Sequence, residues 1–233
     1  MNVRLAGSIL LCVVCSPYGI GAQEVDPNLI HEVSTVRAEV ARSLMALRQY
    51  TWTAVTEVSV KGDVKSSNSF RCRYDQNGDL IRTLAAKGKE MEVANGVSKR
   101  PKVRSKAEMQ DYIDRAISRM YRYVPPDPEQ INFLLKHGNA SLGRSTAGTS
   151  EVRFTNYFEP GDSLVFTYDS ASKALVRARV TSSLGNPKDP VILEAEFGIL
   201  PEGVNHVSSA TLNATAKKVQ VKIRNVMYEK LAN

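Results

Sequence analysis

Residues 163–180 read SLVFTYDSASKALVRARV. Leu164, Phe166 and Tyr168, then Val176, Ala178 and Val180, alternate with polar residues, which is the period of two strands joined by a turn near Ser172. That turn sets Leu164 beside Val180, Phe166 beside Ala178 and Tyr168 beside Val176, so one face of the hairpin is apolar. Thr167, Arg177 and Arg179 fall on the other. Continuing through SSLGNPKDP to VILEAEF, the register that opposes Val176 to Phe197, Ala178 to Ala195 and Val180 to Leu193 also opposes Arg177 to Glu196 and Arg179 to Glu194. Apolar pairs and opposite-charge pairs select the same register. The arginines and glutamates are read as charges on the solvent face rather than as a catalytic carboxylate pair.

The meander continues with HVSSATLNAT, which places Ser208 and Ala210 on the apolar side, and KKVQVKIRN, where Val219, Val221 and Ile223 alternate with Lys218, Gln220, Lys222 and Arg224. Ala178, Ala195, Ser208 and Ala210 then form a band of short side chains across the sheet, flanked by Phe166, Tyr168, Phe197 and Ile223. Interiors are close-packed, so an incoming helix or a ligand must take that space. A helix is at hand. Leu29, Val33, Val36, Val40, Leu44 and Leu47 recur every three or four residues, predicting a helix from about Asp26 to Arg48 with Asp26 as cap and Pro27 in the first turn.

From Tyr50 the period is two. YTWTAVTEVSV and VKSSNSFRCRYD flank Lys61, Gly62 and Asp63, which sets Val60 beside Val64, Ala54 beside Phe70 and Trp52 beside Cys72. Asn77-Gly78 signals a tight turn into LIRTLAA, and a weaker strand is expected at Met91 and Val93. A helical pair is expected at about 105–137. Ser105 with Glu108 reads as a capping box before the stripe Met109, Tyr112, Ile113, Ala116, Ile117 and Met120. In PPDPEQINFLLKHG, Asp127 is the cap, Gln130 stands three after it and Gly138 is the stop.

The first 22 of the 233 residues, MNVRLAGSILLCVVCSPYGIGA, have a basic start, a short apolar run and small residues near the end, the order of a secretory leader. Cleavage after Gly21 competes with cleavage after Ala22, and the mature chain, about 23–233, is read as one domain in the periplasm or outside the cell. Leu11 and Val14, not small residues, precede Cys12 and Cys15, which argues against lipidation. Only Cys72 would remain, so no internal disulfide supports the fold, and its phase with Phe70 and Tyr74 makes it a buried apolar residue.

The chain carries a net charge of +7, much of it between residues 87 and 106, where seven basic residues face Glu90 and Glu92. Without stacking motifs in an exported chain this is not read as a nucleic-acid surface. It is read first as a solvated basic edge, the functional option being a dock for an acidic protein or anionic lipid headgroups through Lys99, Arg100 and Lys102. His31, His137 and His206 lack metal-ligand spacing, no Gly-rich phosphate loop occurs, and neither GRSTAG nor GTSEV has the form of a nucleophile elbow. Neither a cofactor, a metal nor a catalytic residue is therefore assigned.

One helix, a few strands, a helical pair and a longer antiparallel meander make an α+β pattern. YTWTAVTEVSVKGDV, FRCRYDQNGDL and VANGV, set in that order, are similar to the first hairpin and turns of the periplasmic lipoprotein carriers of the LolA/LolB-like superfamily. The resemblance is one of layout over residues 26–230 and transfers no individual ligand-binding residue. It implies a strongly curved antiparallel sheet, an incomplete barrel, wrapped over a few helices, with a hollow that receives acyl chains. The reading that follows is a non-enzymatic carrier of a lipid or lipoprotein acyl chain, its hollow lined by Trp52, Phe70, Phe166, Tyr168, Phe197 and Ile223. The competing reading is an envelope interaction or sensory module with a filled core, docked through the basic segment.

Overall fold

The computed structural model describes residues 26–88, 99–123, 126–143 and 148–231. The leader, the strand expected at Met91 and Val93, and VANGV lie outside them. In chain order the elements are α1 (Pro27–Leu47), β1 (Tyr50–Val60), β2 (Asp63–Tyr74), β3 (Leu80–Lys87), α2 (Lys99–Tyr121), α3 (Pro128–Lys136), β4 (Ala140–Gly143), β5 (Thr149–Thr155), β6 (Ser163–Asp169), β7 (Leu175–Ser183), β8 (Pro190–Leu200), β9 (Val204–Ala214) and β10 (Val219–Lys230). All ten strands belong to one antiparallel sheet in the order β3-β2-β1-β10-β9-β8-β7-β6-β5-β4. The sheet is curved and is not closed into a barrel, because β3 and β4 remain its two edges. The helices pack on its inner face.

α1 begins where its cap places it, with the Asp26 carboxylate accepting from the Asn28 N–H at 2.9 Å and Pro27 in the first turn. Leu29, Val33, Val36 and Leu47 are buried, but Leu44 is not, and Ser43 is buried instead. The reason is a hydrogen bond: the buried backbone N–H of Asn205 donates to Ser43 Oγ at 3.1 Å, a partner no leucine could supply. α2 starts at Lys99, so Ser105 stands inside the helix and is not its cap. Pro101 lies in the first turn, where a missing N–H costs nothing, and the basic run is extended into the helix. Its stripe is otherwise as read, with Tyr112, Ile113, Ala116 and Met120 buried. α3 is capped by Asp127, while Gln130 donates to the Tyr157 carbonyl rather than folding back on the cap.

The strand registers follow the charge and apolar pairing closely. Ala178 faces Ala195, Val180 faces Leu193, Arg177 faces Glu196 and Arg179 faces Glu194, and the last pair forms an exposed ion pair at 2.9 Å. Three departures occur, each at a bulge, where one strand carries an extra residue. Val60 pairs with Asp63, not Val64, because Lys61 (φ 55°) and Gly62 (φ 90°) make a two-residue turn; an extra residue at Lys65 restores Ala54–Phe70 and Trp52–Cys72. Tyr168 pairs with Leu175, which is 6% exposed, and Val176 is turned out to 41% exposure, so the expected Val176–Phe197 pair is missing too and the β7–β8 ladder starts at Arg177–Glu196. Ser208 is the extra residue where Glu196–Ser209 is followed by Phe197–Val207, and its hydroxyl donates to the Glu196 carbonyl.

Candidate functional site

Two rows of side chains cross the inner face at right angles to the strands. Phe154, Leu164, Val180, Leu193, Leu212, Val221 and Val58 form the first. With α2, α3 and the first half of α1 it makes the main core, and Leu164 and Val180 are essentially inaccessible. The second row, one residue pair further along, is Val152, Phe166, Ala178, Ala195, Ala210, Ile223 and Thr56. From Ala195 to Thr56 every member is only half-buried. Thr56 Oγ1, at its end, has no hydrogen-bond partner.

The helices explain where the room lies. α1 meets the start of β9, through Ser43 and Asn205 and through the Arg42 guanidinium on the Gly203 carbonyl at 3.2 Å. α2 meets the far end of the sheet, where Tyr112 donates to Asp189 at 2.7 Å. Ala210 lies between these contacts along β9. At that point of the sheet Ala195, Ala210 and Ile223 stay half-buried.

The six residues expected to line a hollow fall into two groups. Phe166 and Phe197 are half-buried against the main core, and Tyr168 is fully buried within it. Tyr168 is held by α1: its hydroxyl donates to Glu32 at 2.8 Å, and Lys173 Nζ donates to both Glu32 oxygens at 3.0 and 2.9 Å. The Lys173 hydrogen bond holds the Glu32 carboxyl below its ordinary range, while burial, with the Glu32 bond, pushes the Tyr168 hydroxyl up to about 12. Trp52, Phe70 and Ile223 form the second group with Ala54 and Cys72 on β1, β2 and β10. Cys72 is 1% exposed, in keeping with an apolar role.

Sequence periodicity misses three members of this second group. Tyr228 stacks on Trp52 with ring centroids 5.6 Å apart, because Met227 (φ 53°) and Tyr228 together oppose Trp52 in a bulge that reverses the alternation of β10. His206 lies edge-on to Tyr228 at 4.4 Å, 9% exposed, with Nδ1 unpaired, and burial lowers its basicity. Arg82 lies over the Phe70 ring at 4.4 Å. Tyr228 and His206 reach Trp52 only through the pairing of β1 with β10, strands distant in sequence, whereas Arg82 comes from β3, which follows β2 directly.

Lys99, Arg100 and Lys102 belong to the first turn of α2, and their side chains lie outside the described residues. Further along, Arg115, Arg119 and Arg122 border a depression of about 380 Å³ beside α2. Asp111 pairs with the first and Glu159 with the other two, so this surface is close to neutral. No group of three or more metal-ligating side chains occurs among the described residues. None of their helices is long and apolar enough to cross a membrane.

No protein-family model matches the chain, and no curated protein does. Among solved structures, a LolA superfamily protein from Nitrosomonas europaea is similar in layout, with 6% identity, 85% of this chain and 94% of that one covered, and a TM-score of 0.44. A DUF1329 family protein from Desulfovibrio piger matches with 10% identity over 87% of this chain and 92% of its own, at a TM-score of 0.42. The MucA/MucB complex of Pseudomonas aeruginosa follows at 10% identity, 85% and 99% coverage and a TM-score of 0.22.

Proposed function

We propose that this is an exported, non-enzymatic carrier or binding protein of the bacterial periplasm, and that its inner face holds the acyl chain of a lipid or lipoprotein. The observation that carries the reading is the half-buried row Ala195, Ala210 and Ile223, apolar side chains left partly exposed between the contacts of α1 and α2, beside a row in which Phe154, Leu164, Val180, Leu212 and Val221 are buried. Ordinary cores do not leave such a stripe exposed to water, since each buried methylene is worth about 0.8 kcal/mol. Phe166 and Phe197 border it at one end, Phe70 and Trp52 at the other, and Tyr168 ties α1 to the sheet through Glu32. The leader pattern of residues 1–22 supports export.

Native mass spectrometry of the protein after gentle extraction tests the reading. Added lipid mass is the expected result. A clean unliganded spectrum, together with no response to titrated fluorescent fatty acids, overturns it.

A further inference from the structure

The edge strand β3 carries an unusual side chain for an apolar face. Arg82 pairs with Cys72, and Cys72 with Trp52, so the guanidinium stands on the same inner face as the indole. Its neighbours on that face of β3, Leu80 and Leu84, are 49% and 45% exposed. Arg82 lies against the Phe70 ring and beside the Cys72 thiol, and it is exposed. Among the described residues no carboxylate pairs with it, whereas Lys173 has Glu32 and Lys230 has Glu202. A cation set among Leu80, Leu84, Phe70, Tyr74 and Trp52 without an anion is a half-site.

Resting on the carrier reading above, we infer that Arg82 binds the carboxylate of a free, single-chain fatty acid whose tail runs from β3 across the sheet. The tail passes over Phe70 and enters the row of Ile223, Ala210 and Ala195. From β3 to β8 is five strand spacings, roughly 24 Å along the sheet, a course suited to one extended long chain. Charge complementarity selects the head. One planar guanidinium offers a fork that a carboxylate meets with both oxygens. The single row of short residues is one chain wide, which selects a fatty acid over a two-chain phospholipid.

Trp52 is the sole tryptophan, and it stands two strand spacings from Arg82, about 10 Å, so its emission reports which end of a chain lies near. Palmitate brominated at carbon 2 is expected to quench Trp52 more strongly than palmitate brominated at carbon 16. At neutral pH palmitate is expected to bind about three- to tenfold more tightly than methyl palmitate, the range for a partly exposed charge-assisted pair. Arg82→Gln is expected to bring palmitate to the affinity of the ester and leave the ester unchanged, while Arg82→Lys keeps part of the preference.

Equal affinity of acid and ester for the native protein, or stronger quenching from carbon 16, overturns the assignment of Arg82 and leaves the carrier reading standing. Both comparisons use the native sequence, so a variant that fails to fold does not block them. Uptake of phosphatidylglycerol from vesicles in preference to palmitate overturns the single-chain ligand. If neither acid nor ester binds, the carrier reading falls, and this inference with it.

Discussion

His206 is held neutral by its surroundings. Its ring is buried between Gly198 and Tyr228, Nδ1 has no acceptor, and the titratable groups packed near it, Tyr228 and behind it Tyr74 and Cys72, are themselves uncharged at neutral pH. Burial lowers its folded pKa below the ordinary 6.5. The unfolded chain therefore takes up a proton first as pH falls. The stability that His206 contributes is present above 6.5 and is lost as pH drops through the lower folded value. His206→Phe keeps the edge-on ring and removes the titration. Urea unfolding at pH 7 and pH 5 should show a smaller loss of midpoint in the variant than in the native protein; equal losses would remove His206 from the account.

At the level of elements, the ends of helices and strands were readable wherever one residue closes them chemically. Asp26, Asp127 and Gly138 are where their chemistry requires them. Gly138 has φ 69°, and its N–H and that of Asn139 return to the carbonyls of Leu135 and Leu134, closing α3 with glycine in the left-handed conformation. Gly138→Ala is expected to cost about 1 kcal/mol, read as a fall in the thermal midpoint, because a Cβ is strained at positive φ. Bulges were not readable. Val60–Val64, Tyr168–Val176 and the orientation of Ser208 each fail by one residue at a point where the strand carries an extra one, and an extra residue leaves no mark on a period of two. Ser105 with Glu108 has the form of a cap, but the helix already runs from Lys99, six residues earlier, so the pair stands inside it.

On the scale of the whole molecule, the sheet is continuous only because β1 pairs with β10, joining the N-terminal hairpin to the end of the meander. That joint brings Trp52 beside Tyr228 and extends the short-residue row from Ala195 to Thr56. Filling the row should close the site without harming the core. Ala210→Leu is expected to weaken binding of a fluorescent fatty acid at least about tenfold, a methylene or two of lost space being worth that much in a fitted apolar pocket, with the unfolding midpoint unchanged. Undiminished binding would place the chain elsewhere.

The residues alone determined the local order of this protein: which segments are helix or strand, which face of each is apolar, and how neighbours such as Arg179 and Glu194 align. Those are properties of period, cap and charge acting over short separations. The tertiary structure alone decided that β1 lies against β10, that Ser43 and not Leu44 faces the sheet, and that Trp52 stacks on Tyr228. Each of these rests on partners far apart in the chain, where a hydrogen bond or a single extra residue outweighs the pattern of any one segment.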